Sequence, residues 1–185
     1  MKISRAIHRC EKVEGFVVGL GSSWVLLHSF SGDVSLDGYT LLRLRDIKQV
    51  RVRYDEDSFT VRALQKFAKE SPRSLKNFDL DSFVGAVQGA SRKAKLMAIY
   101  VEEVAPDICY IGRVTSVTSS SLLLQEVNPD AWWAMELDRW FARDITRIEF
   151  GGRYVRALAH MAGRRPTAKS IDTSWTASEL NWLRP

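Results

Sequence analysis

The sequence predicts a mainly β protein with some helix (α+β): two repeated, small, strongly bent β-sheets or barrels, each closed by a short helix and joined by a helical connector. Three observations predict it. The chain resembles itself at an offset that drifts only from 97 to 98 to 94 residues. Apolar and polar residues alternate with period two through much of each copy, the pattern of half-buried strands. Turn-forming residues divide these runs at hairpin spacing.

Four matched blocks in one order carry the repeat. Glu14-Gly15-Phe16-Val17-Val18 matches Ile111-Gly112-Arg113-Val114-Thr115, and Val25-Leu26-Leu27 matches Leu122-Leu123-Leu124. Arg45-Asp46-Ile47 matches Arg143-Asp144-Ile145, and Val61-Arg62-Ala63-Leu64 matches Val155-Arg156-Ala157-Leu158. The first unit is placed at 1–70. Its strands Gly15–Leu20 and Trp24–Phe30 are split by Gly21-Ser22-Ser23. Val50 and Val52 alternate with Gln49, Arg51 and Arg53, and a helix near Ser58–Lys69 is stopped by Pro72.

A helical connector is placed at 71–95. Asp79 or Asp81 is expected to cap a helix whose apolar stripe is Leu80, Phe83, Val84, Val87 and Ala94. Gly85 and Gly89 each cost about 1 kcal/mol relative to Ala in a helix, so a close neighbour is expected there. Arg92, Lys93 and Lys95 crowd its end, where cations suit the helix dipole. The second unit is placed at 96–163. It opens with Leu96–Val104, turns at Pro106-Asp107, continues through Ile108–Val117 and Leu122–Val127, and closes with a helix at Tyr154–Met161. The segment 164–185 reads as a linker and a short tail helix at Ala177–Leu183. Thr176 and Glu179 have capping-box spacing there, and Trp175 and Leu180 have that of a hydrophobic staple.

The 185 residues carry a net charge of +5, with 45% apolar and 26% charged side chains, an ordinary globular composition. Residues 1–95 hold 17 basic and 11 acidic side chains, while 96–185 hold 10 and 11, so the basic excess belongs to the first half. No window resembles a transmembrane helix. Residues 1–9 lack the apolar core of a signal peptide, and a cytoplasmic protein without a membrane partner is expected. Cys10 and Cys109 are expected as buried free thiols.

Each unit resembles a small SH3-like barrel of the Sm-like family. The residues that carry the resemblance are Φ-x-G-x-Φ at Val13–Val17 and Tyr110–Val114, then a hairpin, an apolar strand and a terminal Asp-Ile-x-x-Φ strand. The resemblance implies a small barrel and, as an alternative function, RNA binding. The family's Asp-x-Φ-Asn signature is absent from both units, so no functional residue carries over.

No catalytic constellation, metal-ligand spacing or cofactor motif is legible. His8, His28 and His160 stand singly. Asp46 and Asp144 recur as a pair, which favours a structural role at a turn. Two surfaces remain. A basic face is expected from Arg43, Arg45, Arg51, Arg53, Arg62 and Lys66, suited to phosphates or an acidic protein. An aromatic interface is expected from Trp132, Trp133, Trp140, Trp175 and Trp182, because neighbouring strand residues point to opposite faces. The sequence therefore predicts a non-enzymatic interaction protein that contacts another protein or a second copy of itself. Nucleic-acid binding is the alternative, and a peptide or small-ligand sensor between the two barrels is a further one.

Overall fold

A computed structural model describes residues 1–32, 34–52 and 57–166. The strands are β1 (Lys2–Arg5), β2 (Val13–Leu20), β3 (Trp24–Ser31), β4 (Ser35–Arg43), β5 (Ile47–Arg51), β6 (Met97–Tyr100), β7 (Cys109–Val117), β8 (Ser121–Glu126), β9 (Asp138–Phe141) and β10 (Arg147–Phe150). The helices are α1 (Phe59–Ala63), which runs on as a π turn over Leu64–Ala68, α2 (Phe83–Lys93) and α3 (Arg153–Met161). The expected tail helix at 177–183 lies outside the described residues, as do Arg53, Trp175 and Trp182.

Two barrels joined by a helical connector are not what forms. The strands make one open, antiparallel ten-stranded sheet in the order β5-β1-β2-β3-β4-β10-β6-β7-β8-β9. The junction is β4 against β10, in register from Tyr39 with Phe150 to Leu42 with Arg147. An unpaired strand edge exposes a row of amide and carbonyl groups. Here one edge of each half covers the other, so neither half closes on itself. Counted within its own half, each set of five strands runs fifth, first, second, third, fourth.

The connector is also corrected. Helix α2 is packed onto the sheet, with Ala86, Val87 and Ala90 fully buried. They share one core with Trp24, Leu26 and Leu41 of the first half and Met97, Ile99, Leu124 and Ile148 of the second. Burying apolar surface is worth about 25 cal/mol per Å², and a stripe of this kind gains nothing by staying in solvent. The cap is Ser82, whose Oγ accepts from the Gly85 amide at 2.9 Å. Asp79 instead accepts from the Asp81 amide and the Ser82 hydroxyl, at 2.8 and 2.9 Å. The two helix glycines meet the close neighbours they implied: a Cβ on Gly85 would overlap Asp79, and one on Gly89 would overlap the Phe78 ring.

Both hairpins carry a register shift after the matched glycine, between Val17 and Gly19 in one and between Val114 and Ser116 in the other. Strand β3 is buried over Trp24–Leu27 without alternation. Leu26 faces the α2 core, while Val25 and Leu27 join Ile3, Val13 and Leu42 in a second cluster. A third cluster seats α3 through Val155 and Leu158 against Leu96 and Val127. Among the described residues no helix is long and apolar enough to cross a membrane.

Candidate functional site

The junction of the halves holds a cleft of about 310 Å³. Its position follows from the strand period. In β6, Met97 and Ile99 face the α2 core while Ala98 and Tyr100 line the cleft. In β10, Ile148 belongs to the core while Arg147 and Glu149 line the cleft. Thr40 of β4 stands opposite Glu149, and Ala98 stands opposite it on the other side. Lys12, Asp37 and the exposed Tyr154 complete the polar rim, and Val13, Phe30 and Ile111 add apolar wall.

From the lining residue Arg147 a chain of charged side chains runs inward through Glu102 to Arg5. Glu102 and Arg5 are paired with both side chains inaccessible to solvent. Arg5 forms a bidentate bond to Glu102, one arm at 2.7 Å, and its Nη2 also donates to the Glu11 carbonyl at 3.1 Å. The Thr146 hydroxyl donates to Glu102 at 2.7 Å. Arg147 approaches Glu102 and Glu149, each at 3.3 Å, and its guanidinium lies 3.7 Å above the Tyr100 ring. The Tyr100 hydroxyl donates to Glu149 at 2.9 Å. The buried Nε atoms of Arg5 and Arg147 have no hydrogen-bond partner among the described residues.

These contacts fix the protonation states. Burial pushes Glu102 upward, but the bonds from Arg5 and Thr146 and the charge of Arg147 outweigh it and hold the carboxyl below its ordinary value. Burial likewise opposes the charge on Arg5, and Glu102 more than restores it. Burial raises the Tyr100 hydroxyl far above its ordinary range, and the Glu149 carboxylate adds to the effect. Tyr100 therefore stays a neutral donor. The floor is a fixed array of donors and acceptors, which suits orienting a polar ligand.

The residues expected to form surfaces are dispersed. Arg43 is buried, with its Nε on Asp46 at 2.5 Å and a further bond to the Arg143 carbonyl. Arg45 is exposed, and its Nη2 donates to the same carbonyl at 3.2 Å, so the two Arg-Asp-Ile turns meet there. Asp46 thus serves Arg43, and Asp144 lies 3.6 Å from Arg143. Arg51, Arg62 and Lys66 are exposed. Trp132 is 72% exposed. Trp133 packs on the α3 cluster and donates its Nε1 to the Ala162 carbonyl at 2.9 Å. Trp140 is half-buried against the main core, its ring centroid 4.1 Å from that of Tyr110. His28 stacks on Tyr39 at 4.4 Å and accepts from the Arg73 amide.

Sequence reasoning missed Tyr100, Glu102, Arg147 and Glu149. A signal existed: Arg-Ile-Glu-Phe alternates charged with apolar residues, and Glu102 follows directly on the apolar run Leu96–Val101. The first pattern places charge on a strand whose other residues are core, and the second places it just past the end of one. Among the described residues no group of three or more His, Cys, Asp or Glu side chains could hold a metal ion. Cys10 and Cys109 are free thiols, but they are not buried as expected: Cys10 is half-buried and Cys109, at the start of β7, is exposed. No protein-family model, no curated protein and no solved structure matches this chain.

Proposed function

We propose that the protein is a non-enzymatic binding protein that takes a small polar ligand in the seam cleft. The observation that carries this reading is the cleft's construction: both halves line it, and a buried chain of charged groups lies beneath it. Its volume is at the lower end of ligand sites, which run from about 300 to 1,000 Å³. A ligand there touches β4, β6 and β10 together, so binding tightens the junction and acts as a sensor of that ligand. The shared strand order, the paired register shifts and the matched glycines support reading the halves as two copies of one module, with the site arising where they meet.

A thermal-shift screen of small polar compounds, followed by calorimetry, tests it. Tyr154→Ala and Lys12→Glu alter exposed lining residues without touching the buried ion pairs. The expected result is a ligand that stabilises the native protein by mass action and loses about tenfold affinity in either variant. Binding that both variants leave unchanged contradicts the site.

A second reading is contact with another protein. Phe59 and Phe67 are 72% and 85% exposed on the α1 segment, beside Arg62 and Lys66, which are also exposed. Exposed aromatics with basic neighbours suit an acidic, partly apolar partner surface.

A further inference from the structure

A second cluster of cations without carboxylate partners lies away from both the seam cleft and the expected basic face, and it lines concave surface. Two adjacent clefts share Lys93, Ala94 and Lys95 as a common wall. One, of about 240 Å³, adds Arg92 and Arg113. The other, of about 310 Å³, adds Arg156 and His160. No Asp or Glu lines either cleft. Among the described residues no ion pair involves Arg92, Lys93, Lys95, Arg113 or Arg156. The contrast is with Arg5, Arg43 and Arg147, each of which contacts a carboxylate.

Part of this charge has a local cause. Arg92 and Lys93 occupy the last turn of α2, where cations favour the carbonyl end of the helix by about 0.3–1 kcal/mol. That cause does not reach Lys95 beyond the helix, Arg113 on β7 or Arg156 on α3. Helix α2 packs against β7, which brings Arg113 to the same place. Each cleft thus combines the shared Lys93 and Lys95 with a cation from a further element, Arg113 of β7 in one and Arg156 of α3 in the other, and that arrangement costs mutual repulsion unless an anion is bound.

We propose that these two adjoining clefts together bind a linear oligophosphate, as in inorganic tripolyphosphate or the phosphate chain of a nucleotide. Guanidinium and ammonium donors recognise phosphate oxygens with charge-assisted hydrogen bonds. The lining supplies donors on both sides of the shared lysines, which suits a chain rather than a single ion. No Phe, Tyr or Trp side chain lines either cleft, and His160 supplies a single ring rather than the succession of platforms on which bases of single-stranded nucleic acid stack. The clefts are small and concave, which favours a compact anion over a long polymer.

Calorimetric titration of the full chain with sodium tripolyphosphate at low ionic strength tests the proposal. One ligand per chain is expected, with affinity falling as salt is raised. Lys95→Glu combined with Arg113→Glu is expected to weaken binding by at least about tenfold, and Arg51→Glu combined with Lys66→Glu, an equal charge change elsewhere, by less than about twofold. Circular dichroism and thermal melting verify folding. If the reversed pair fails to fold, Lys95→Gln with Arg113→Gln replaces it, and a loss of at least about threefold is required. Three results overturn the proposal: no titratable binding, equal weakening by both charge-reversed pairs, or binding of mixed-sequence RNA whose affinity rises with length while tripolyphosphate does not bind.

Discussion

Glu102 sits at the end of an apolar strand and takes its partners from both halves, Arg5 from β1 and Thr146 and Arg147 from the β10 region. A buried pair gains little over a well-packed apolar pair, but removing one member strands a charge. Arg5→Met is therefore expected to destabilise the protein by about 3–5 kcal/mol in urea unfolding. Because the Glu102 carboxyl is held below its ordinary value, its contribution is present above the unfolded pKa and is lost as pH falls through the folded one. Glu126 has the opposite sign. Burial, with Asp138 adding to it, pushes this carboxyl up to about 7 from 4.5. The native state then holds a proton that the unfolded chain has released, so stability falls as pH rises across that window, by on the order of 3 kcal/mol. Glu126→Gln is expected to flatten the stability profile between pH 5 and 8 and to raise stability at pH 8. An unchanged slope in the variant contradicts this account of Glu126.

Among the elements, the two hairpins make the sharpest case. A Cβ on Gly15 would lie 2.6 Å from the His28 carbonyl oxygen, and one on Gly112 would lie 2.3 Å from that of Gln125. Both obstacles are backbone, so the strands must move apart. Gly15→Ala and Gly112→Ala are each expected to cost about 1–3 kcal/mol, as overpacking does, whereas Gly32→Ala, with nothing within 4 Å, is expected to be near neutral. Chemical unfolding of the three variants checks this, and a neutral Gly112→Ala contradicts it. The hairpins were legible in the sequence because Gly21-Ser22-Ser23 and Thr118-Ser119-Ser120-Ser121 are turn chemistry between apolar runs. The placement of α2 was not. An amphipathic stripe states which face is buried and not what buries it. The missed clue was β3, whose unbroken Trp24–Leu27 run marks a strand covered on both faces. Arg43 was misjudged for a related reason: alternation predicted its side but not that Asp46 and the second half's turn would enclose it.

At the scale of the molecule, the matched blocks in the sequence predicted two β units, and they did not reveal that these would join edge to edge. Strand pairing between distant segments leaves little local signature, because the hydrogen bonds are made by backbone and any half-buried strand can supply them. The seam cleft was illegible for the same reason, since its residues come from β4, β6 and β10 and meet only through that pairing. Charge was legible in total and not in place. The first-half excess is partly spent in internal pairs such as Arg5 with Glu102 and Arg43 with Asp46, while one group of cations without such partners, Arg92, Lys93, Lys95, Arg113 and Arg156, gathers around the end of α2.

All of this turns on the β4–β10 junction, and backbone NOEs in isotope-labelled protein test it most directly. The account predicts cross-strand contacts for Thr40 with Glu149, Leu41 with Ile148 and Leu42 with Arg147, as strong as those between β3 and β4. Spectra in which both hairpins show their own cross-strand contacts but these three pairs show none would contradict it.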